Sequence, residues 1–121
     1  FGNFSKTNII QGNFLDKEVR DLADFLVMGE VIEHVENPDY FLKAAYKTTT
    51  DNALIFLTTC INAPTIDHLY NPETIENLEK LIEGNHFIIK ERCLVPRNGK
   101  SKQECIDEKL AINVGYFLSK K

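Results

Sequence analysis

Short apolar runs alternate with amphipathic segments along this chain, a pattern that predicts alternating strands and helices. Residues 24–28 and 53–58 carry apolar side chains at successive positions, which indicates strands of a parallel sheet with both faces buried. Residues 8–11 and 87–94 are also typical of strands. Residues 110–118 are predicted to close the chain as its last strand.

Two helices are predicted between these strands. Asn37 can accept hydrogen bonds from the free amides of a first helical turn, and Pro38 suits the first helical position. Asp39 complements the positive end of the helix dipole. Apolar residues follow at helical spacing on one face: Phe41, Leu42, Ala45 and Tyr46. A turn at residues 48–52 is expected to end this helix.

A similar signal, Asn71-Pro72-Glu73, predicts the start of the second helix, and Gly84 stands where a C-terminal cap belongs. The apolar stripe of this helix is formed by Ile75, Leu78, Leu81 and Ile82. Residues 97–107 are mostly polar and contain glycine and lysine, and we interpret them as a loop.

This order of elements predicts an α/β fold, a partial Rossmann-like sheet that is mostly parallel, with helices on its faces. The last two strands have no helix between them and are expected to pair antiparallel. Ligands of such sheets bind beyond the carboxyl ends of the strands. The loops at residues 12–14, 29–35 and 59–70 are therefore expected to converge at one edge.

Composition narrows the class of protein. The chain has 121 residues, and 43% of them are hydrophobic. This length and composition predict one globular domain over residues 1–121, and global disorder is not expected. A net charge of −4 argues against a nucleic-acid partner. No apolar run is long enough for a membrane span, and secretion is not expected, because the first residues show no charged-then-apolar pattern. Three cysteines without a CxxC motif are typical of reduced thiols, so a cytoplasmic location is expected.

The segment that follows the strand at residues 24–28 carries the candidate chemistry. Glu30, Glu33 and His34 are spaced so that a helical turn would bring them to one face. Three interpretations remain open. The charged groups solvate a surface turn, they perform acid–base work, or they bind a divalent ion such as Mg²⁺ or Mn²⁺ together with His68.

Residues 23–38, ADFLVMGEVIEHVENP, resemble the fourth-strand motif of class I S-adenosylmethionine-dependent methyltransferases. Residues 53–59 resemble the fifth strand of that family, and Asp67-His68-Leu69-Tyr70 resembles the segment before its sixth strand. The last two strands are similar to the antiparallel sixth and seventh strands. The resemblance implies methyl transfer from S-adenosylmethionine to an acceptor that the sequence does not identify.

The resemblance also assigns roles to residues. Gly12, Asn13 and Phe14 match the loop that contacts adenine, with Asn13 in place of the usual aspartate. Gly29 and Glu30 face the methionine part of the cofactor. His34 and Glu30 are the candidate catalytic bases. The substrate side is formed by Asn62, Pro64 and His68.

Two parts of the family pattern are missing from the sequence. No glycine-rich loop of the GxGxxG type occurs, and the acidic residue that holds the ribose has no counterpart. We therefore expect a truncated, C-terminal part of a methyltransferase domain that binds S-adenosylmethionine weakly or not at all. Truncation would expose a strand edge, so a homo-oligomer is also expected.

Alternative functions accompany this hypothesis. Glu30, Glu33, His34 and His68 also match the metal-binding motif of small-RNA 3′-terminal 2′-O-methyltransferases, although ordinary members of the wider family share these letters and bind no metal. A noncatalytic protein-interaction module is a second alternative. A different doubly wound protein, with a closed and self-sufficient sheet, is a third.

Overall fold

A four-stranded mixed sheet organises the chain in the computed structural model, which describes residues 9–16 and 22–121. Its strands are β1 (Ala23–Gly29), β2 (Thr49–Ile61), β3 (Phe87–Pro96) and β4 (Ile112–Lys120), in the order β1-β2-β4-β3. β1 and β2 are parallel, whereas β4 is antiparallel to both of its neighbours. Three of the four strands therefore run in one direction, which confirms the predicted α/β class and the antiparallel pairing of the last two strands.

Three helices pack with this sheet: α1 (Pro38–Lys47), α2 (Ile75–Gly84) and the short α3 (Lys102–Asp107). Single 3₁₀ turns occupy Phe14–Asp16, Ile32–His34 and Arg97–Gly99. The core lies between the helices and one sheet face, and it includes the fully buried Leu42, Ala45, Ile55, Leu57, Leu78, Ile82, Tyr116 and Leu118. None of the described helices is long and apolar enough to cross a membrane.

The start of α1 confirms its predicted capping signal. The side-chain oxygen of Asn37 accepts a hydrogen bond from the Tyr40 amide at 3.0 Å, and Pro38 opens the helix. The end of α1 differs from the prediction, because residues 48–52 form no separate turn. β2 instead begins at Thr49, immediately after the helix, and runs to Ile61.

The predicted start of α2 was wrong. Thr74 caps this helix by accepting a hydrogen bond from the Asn77 amide at 3.1 Å. Asn71 instead accepts a hydrogen bond from the Ala63 amide at 2.9 Å, so that its side chain organises the preceding loop. Gly84 is the last residue of α2 and not its cap, since Asn85 occupies the C-cap position.

The segment at residues 97–107 is not a loop throughout, because it contains α3. Ser101 accepts a hydrogen bond from the Glu104 amide at 3.1 Å, and the Glu104 carboxylate accepts one from the Ser101 amide at 3.2 Å. This reciprocal capping box stabilises a six-residue helix. Cys105 on that helix is fully buried in the core.

β1 is not the doubly buried strand that the apolar run predicts. It pairs with β2 alone among the described strands, and Phe25 and Val27 are 53% and 58% exposed. Only the face that carries Met28 is buried, because the helices cover one side of the sheet. Residues 9–11, which were predicted as a strand, belong to no helix or strand, and Asn8 lies outside the described residues.

Candidate functional site

The carboxyl ends of β1 and β2 meet at one edge of the sheet because the two strands are parallel. Gly29 pairs with Thr58 in the last register position, and the Glu30 amide continues the ladder to the Thr58 carbonyl at 3.0 Å. The chain then turns sharply, with a φ of 50° at Glu30. Residues 30–35 and 62–70 consequently leave the sheet side by side, as the sequence predicts.

Glu33 is the buried polar residue of this edge, with 1% of its surface exposed. Its carboxylate accepts a hydrogen bond from the Thr59 hydroxyl at 2.9 Å, and its backbone carbonyl accepts one from the Tyr70 amide at 3.1 Å. The predicted helical turn is the 3₁₀ helix Ile32–His34, which leaves Glu30 outside it. Glu33 is therefore a link between the turn, β2 and the following loop.

His34 and His68 come together across this edge. Their rings are 5.0 Å apart in an edge-to-face arrangement with an interplanar angle of 76°. His34 Nδ1 lies 2.9 Å from the Asp67 carbonyl oxygen, and His68 Nδ1 lies 2.6 Å from that of Ala63. The structure thus unites His34, His68 and Glu33, three of the four residues named for a metal site.

Glu30 also lies close to Glu33. Partial burial raises the pKa of Glu30, the nearby Glu33 adds to this effect, and a hydrogen bond with Thr58 opposes it. Cys60 completes a second group with these two glutamates. Burial, followed by the charges of Glu33 and Glu30, raises the pKa of Cys60 to about 11, so its thiol is protonated at neutral pH.

The predicted cofactor side lies around the end of β1. A cleft of about 320 Å³ opens there, and Phe14 and Gly29 both line it, with Phe14 packed against Phe41 at a ring distance of 5.4 Å. The rest of the lining is apolar: Leu26, Val27, Met28 and Val31. Asn13 uses its side-chain oxygen to accept a hydrogen bond from the Leu15 amide at 3.0 Å, so it organises the turn that carries Phe14.

The lining of this cleft is compatible with one side of the S-adenosylmethionine site that the family resemblance implies, and no more. Its apolar wall, open at Gly29, is suited to a flat aromatic group and a thioether chain. The glycine-rich loop and the acidic ribose-binding residue, which would form the opposite side, are missing from the 121 residues. The residues present can line the cofactor site without completing it.

The structure does not bring together the three residues predicted for the substrate side. His68 joins His34, and Pro64 is exposed on the loop between them. Asn62, with a φ of 54°, instead lines a separate cavity of about 270 Å³ at the ends of β2 and α2. Apolar side chains from β2, α2, α3, β4 and the segment that joins α3 to β4 form much of that cavity: Ile61, Ile75, Ile106, Ile112 and Leu110.

Sequence reasoning missed the residues that position the cluster. Thr59 and Tyr70 bind Glu33, and Asp67 contacts His34 through its carbonyl and, at 3.7 Å, its carboxylate. These residues all lie in the segment at 59–70 that was expected to reach the edge. Their individual contacts depend on the conformation of the loop, which no periodic pattern encodes.

Solved structures of similar fold are found for this chain, whereas no protein-family model and no curated protein matches its sequence. An S-adenosylmethionine-dependent methyltransferase from Clostridium acetobutylicum has a TM-score of 0.66 over 94% of this chain and 65% of its own, at 8% identity. An O-methyltransferase of a trans-AT PKS multienzyme from Brevibacillus brevis, in complex with S-adenosyl-L-homocysteine, has a TM-score of 0.71 over 96% and 50%, at 13% identity. The [4+2]-cyclase SpnF has a TM-score of 0.69 over 90% and 54%, at 9% identity.

The chain therefore has a class I S-adenosylmethionine-dependent methyltransferase-like fold, as its resemblance to that family implies. It spans between 50% and 65% of the length of these three structures. Identities of 8% to 13% establish the fold and not the reaction. The cyclase among them illustrates that one fold serves different chemistry.

Proposed function

We propose that a protein containing this chain transfers a methyl group from S-adenosylmethionine to an acceptor, and that the β1–β2 edge forms one side of its active site. The observation that carries the proposal is the apolar cleft at Phe14 and Gly29, next to an acidic and imidazole-bearing rim. The rim follows the carboxyl ends of the parallel strands β1 and β2, and the cleft runs along the carboxyl half of β1, at the edge where ligands of this architecture bind. The similarity to a fold solved with S-adenosyl-L-homocysteine supports this assignment.

The residues at the β1–β2 edge would have different roles, according to their positions. Phe14 and Gly29 would line the cofactor, which supplies an electrophilic methyl group on a sulfonium centre. Glu30 and His34 are the candidate proton acceptors, because they belong to the segment that leaves β1, and Gly29 and Val31 of the same segment line that cleft. A base is required only for an acceptor that must lose a proton, and positioning supplies the remaining catalysis.

Calorimetric titration with S-adenosyl-L-homocysteine tests the proposal. The 121-residue chain is expected to bind weakly or not at all, because the glycine-rich loop is missing from it. A longer natural protein that includes this chain and a glycine-rich strand–loop–helix is expected to bind it at one site. Absence of both binding heat and thermal stabilisation in that longer protein would contradict the proposal.

Substitution of Gly29 locates the site within that longer protein. A β-carbon at Gly29 would lie at ordinary contact distance, 3.7 Å, from its nearest neighbour, Thr58 Oγ1, and Gly29→Leu adds further bulk at a position that lines the cleft. We expect binding to weaken by at least about tenfold, in line with loss of a well-packed apolar contact. Gly84→Leu is the matched control, because no atom lies within 4 Å of its added β-carbon.

Two results would redirect the assignment. Equal affinities of the Gly29→Leu and Gly84→Leu proteins would place the cofactor away from this cleft. Binding of S-adenosyl-L-homocysteine without methylation of any small-molecule, RNA or protein acceptor would favour a noncatalytic or non-methylating use of the fold.

A further inference from the structure

A second cavity, of about 270 Å³, lies where β2 ends and α2 begins, and it shares no lining residue with the cofactor cleft. Three of its isoleucines, Ile61, Ile75 and Ile112, are only 1–2% exposed. Ile106 of α3 is 44% exposed and extends this apolar lining to the surface. A dry apolar cavity of roughly 150 Å³ accommodates benzene, so the present cavity has room for one ring with a short side chain.

Hydrogen bonds hold two sides of this cavity in place without a ligand. On one side, the Asn62 amide donates to the Pro72 carbonyl at 3.0 Å and closes the segment between β2 and α2. On the other side, the Leu110 amide donates to the Cys105 carbonyl at 2.8 Å and fixes the turn between α3 and β4. A ligand would therefore enter a preformed cavity and would not have to order its walls.

The charged side chains that line the cavity are mostly acidic. Glu73 and Glu76 are exposed at the start of α2, and Lys109 is the only basic residue among the described residues of the lining. No ion pair involves any of these three side chains within residues 9–16 and 22–121. The start of α2 does not itself call for an anion, because Thr74 caps it and Glu76 already complements its dipole. The lining therefore carries one net negative charge and favours a cationic group over an anionic one.

We propose that this cavity binds a small organic cation, an amine with an apolar body and roughly ten or fewer non-hydrogen atoms. The apolar body would contact the isoleucine side chains, and the ammonium group would face Glu73 and Glu76. Burial of the apolar body supplies the affinity, and the exposed carboxylates select the sign of the charge. The site goes beyond the proposed methyl transfer, because it uses neither the cofactor cleft nor the histidines of the rim.

Three probes of similar shape and different charge test the proposal: phenethylamine, the neutral phenethyl alcohol and the anionic hydrocinnamate. Each is titrated into the 121-residue chain, labelled with nitrogen-15, and the amide shifts are followed by NMR. We expect the shifts to centre on the lining residues, with a Kd for the amine on the order of 0.1–1 mM, because so small a ligand makes few contacts. The 121-residue chain is titrated without S-adenosyl-L-homocysteine, so failure of the proposed methyl transfer would leave this result unchanged.

The order of the three affinities carries the test of charge. We expect the amine to bind about two- to fivefold more tightly than the alcohol, as for an ion pair near the surface, and hydrocinnamate to bind most weakly. The difference between amine and alcohol should shrink at about 0.5 M salt, which screens exposed charges. The affinity of the alcohol should change little with salt.

Substitutions of the charged lining residues assign this preference to the cavity. Glu73→Gln and Glu76→Gln should each lower the affinity for the amine by about twofold or more and leave that for the alcohol unchanged. Lys109→Gln should raise the affinity for the amine, because it removes a repulsive charge. Glu83→Gln is the matched control, since Glu83 is an exposed carboxylate near the opposite end of α2 and does not line the cavity.

Ile106→Ser tests the apolar part of the site. The substitution removes an apolar wall and should weaken the amine and the alcohol alike, by about threefold or more. Ile106 is 44% exposed, so the core is little affected, and circular dichroism of the variant checks that the fold is retained. The comparison of the three probes on the unsubstituted chain needs no variant at all.

Four results would overturn the proposal. The first is that no probe shifts the amides of the lining residues, and the second is equal affinity for phenethylamine and phenethyl alcohol at low salt. The third is tightest binding of hydrocinnamate, which would assign the charge preference to Lys109. The fourth is equal loss of amine affinity in the Glu83→Gln and Glu73→Gln proteins, which would indicate a general effect of net charge.

Discussion

Tyr116 is the largest fully buried side chain of the sheet, and its hydroxyl has one partner. Tyr116 Oη donates to the Glu79 carboxylate at 3.2 Å, and Arg92 pairs with the same carboxylate at 2.7 Å. Burial raises the pKa of Tyr116 above its ordinary value of 10.0, and the charge of Glu79 raises it further. The folded chain therefore retains the phenolic proton to higher pH than the unfolded chain does.

This retained proton predicts a loss of stability in alkali. Above about pH 10 the unfolded chain releases the Tyr116 proton first, so the free energy of unfolding falls by up to about 1.4 kcal/mol per pH unit. Tyr116→Phe should remove this part of the slope, at a cost near pH 7 of about 1 kcal/mol for the lost hydrogen bond. Urea unfolding at a series of pH values from about 8 to 11, which bracket the ordinary pKa of tyrosine, measures both the alkaline slope and the cost of the lost hydrogen bond.

Tyr40→Phe is the control for that measurement, because Tyr40 is 53% exposed. Its alkaline slope should match that of the unsubstituted chain. An unchanged slope in the Tyr116→Phe protein would show that Tyr116 ionises alike in the folded and unfolded states.

The candidate site shows how far the positions of single side chains can be predicted from the sequence. The spacing of Glu30, Glu33 and His34 predicted one polar face, but the positive φ at Glu30 and the 3₁₀ turn bury Glu33 and leave His34 exposed. The approach of His68 to His34 followed from the convergence of two loops at a parallel sheet edge. The bond from Thr59 to Glu33 depends on tertiary packing, which the local sequence does not encode.

A helix was predictable where its capping residues and its apolar periodicity indicated the same start. A helix or helix start with only one of these two signals was not. Asn37-Pro38 and a four-residue apolar stripe identified α1, and the start of α2 failed because Asn71 is used by the loop. α3 has six residues, too few for an apolar period to appear. Its signal is the Ser101–Glu104 capping box, which is readable in the sequence.

The capping box of α3 leads to a prediction about thiol reactivity. Ser101→Ala removes the hydrogen bond to the Glu104 amide and should cost about 1 kcal/mol of local helix stability. Opening of α3 exposes Cys105, so its labelling rate by a thiol reagent should rise about fivefold. Mass spectrometry after timed labelling measures this rate, with the exposed Cys93 as the internal reference.

Cys60 separates a local from a global effect in the same experiment. It is buried at the end of β2 beside Glu33 and Glu30, so its labelling should change little on Ser101→Ala. Equal acceleration of Cys60 and Cys105 would indicate that the whole domain opens and would contradict the local interpretation.

At the scale of the whole molecule, the sheet has one covered and one uncovered face. The alternation of strands and helices predicted the parallel β1–β2 pair and the right class of fold. It also predicted that β1 would be buried on both sides, which failed because the described helices cover only one face. Phe25, Val27 and Leu54 stand on the other face and are 53%, 58% and 39% exposed.

The expected homo-oligomer stays a prediction, and we propose that it forms through this uncovered face. β1 has an unpaired edge within the described residues, and Phe25, Val27 and Leu54 form an apolar patch beside it, which favours contact with the same patch of a second copy. Size-exclusion chromatography with light scattering should give at least twice the chain mass of 13.9 kDa. Val27→Lys places a charge in the patch and should shift the equilibrium toward the monomer, whereas Ile66→Lys, on a fully exposed loop residue, should not. A monomer at every concentration, or equal dissociation by both variants, would show that this face does not mediate self-association.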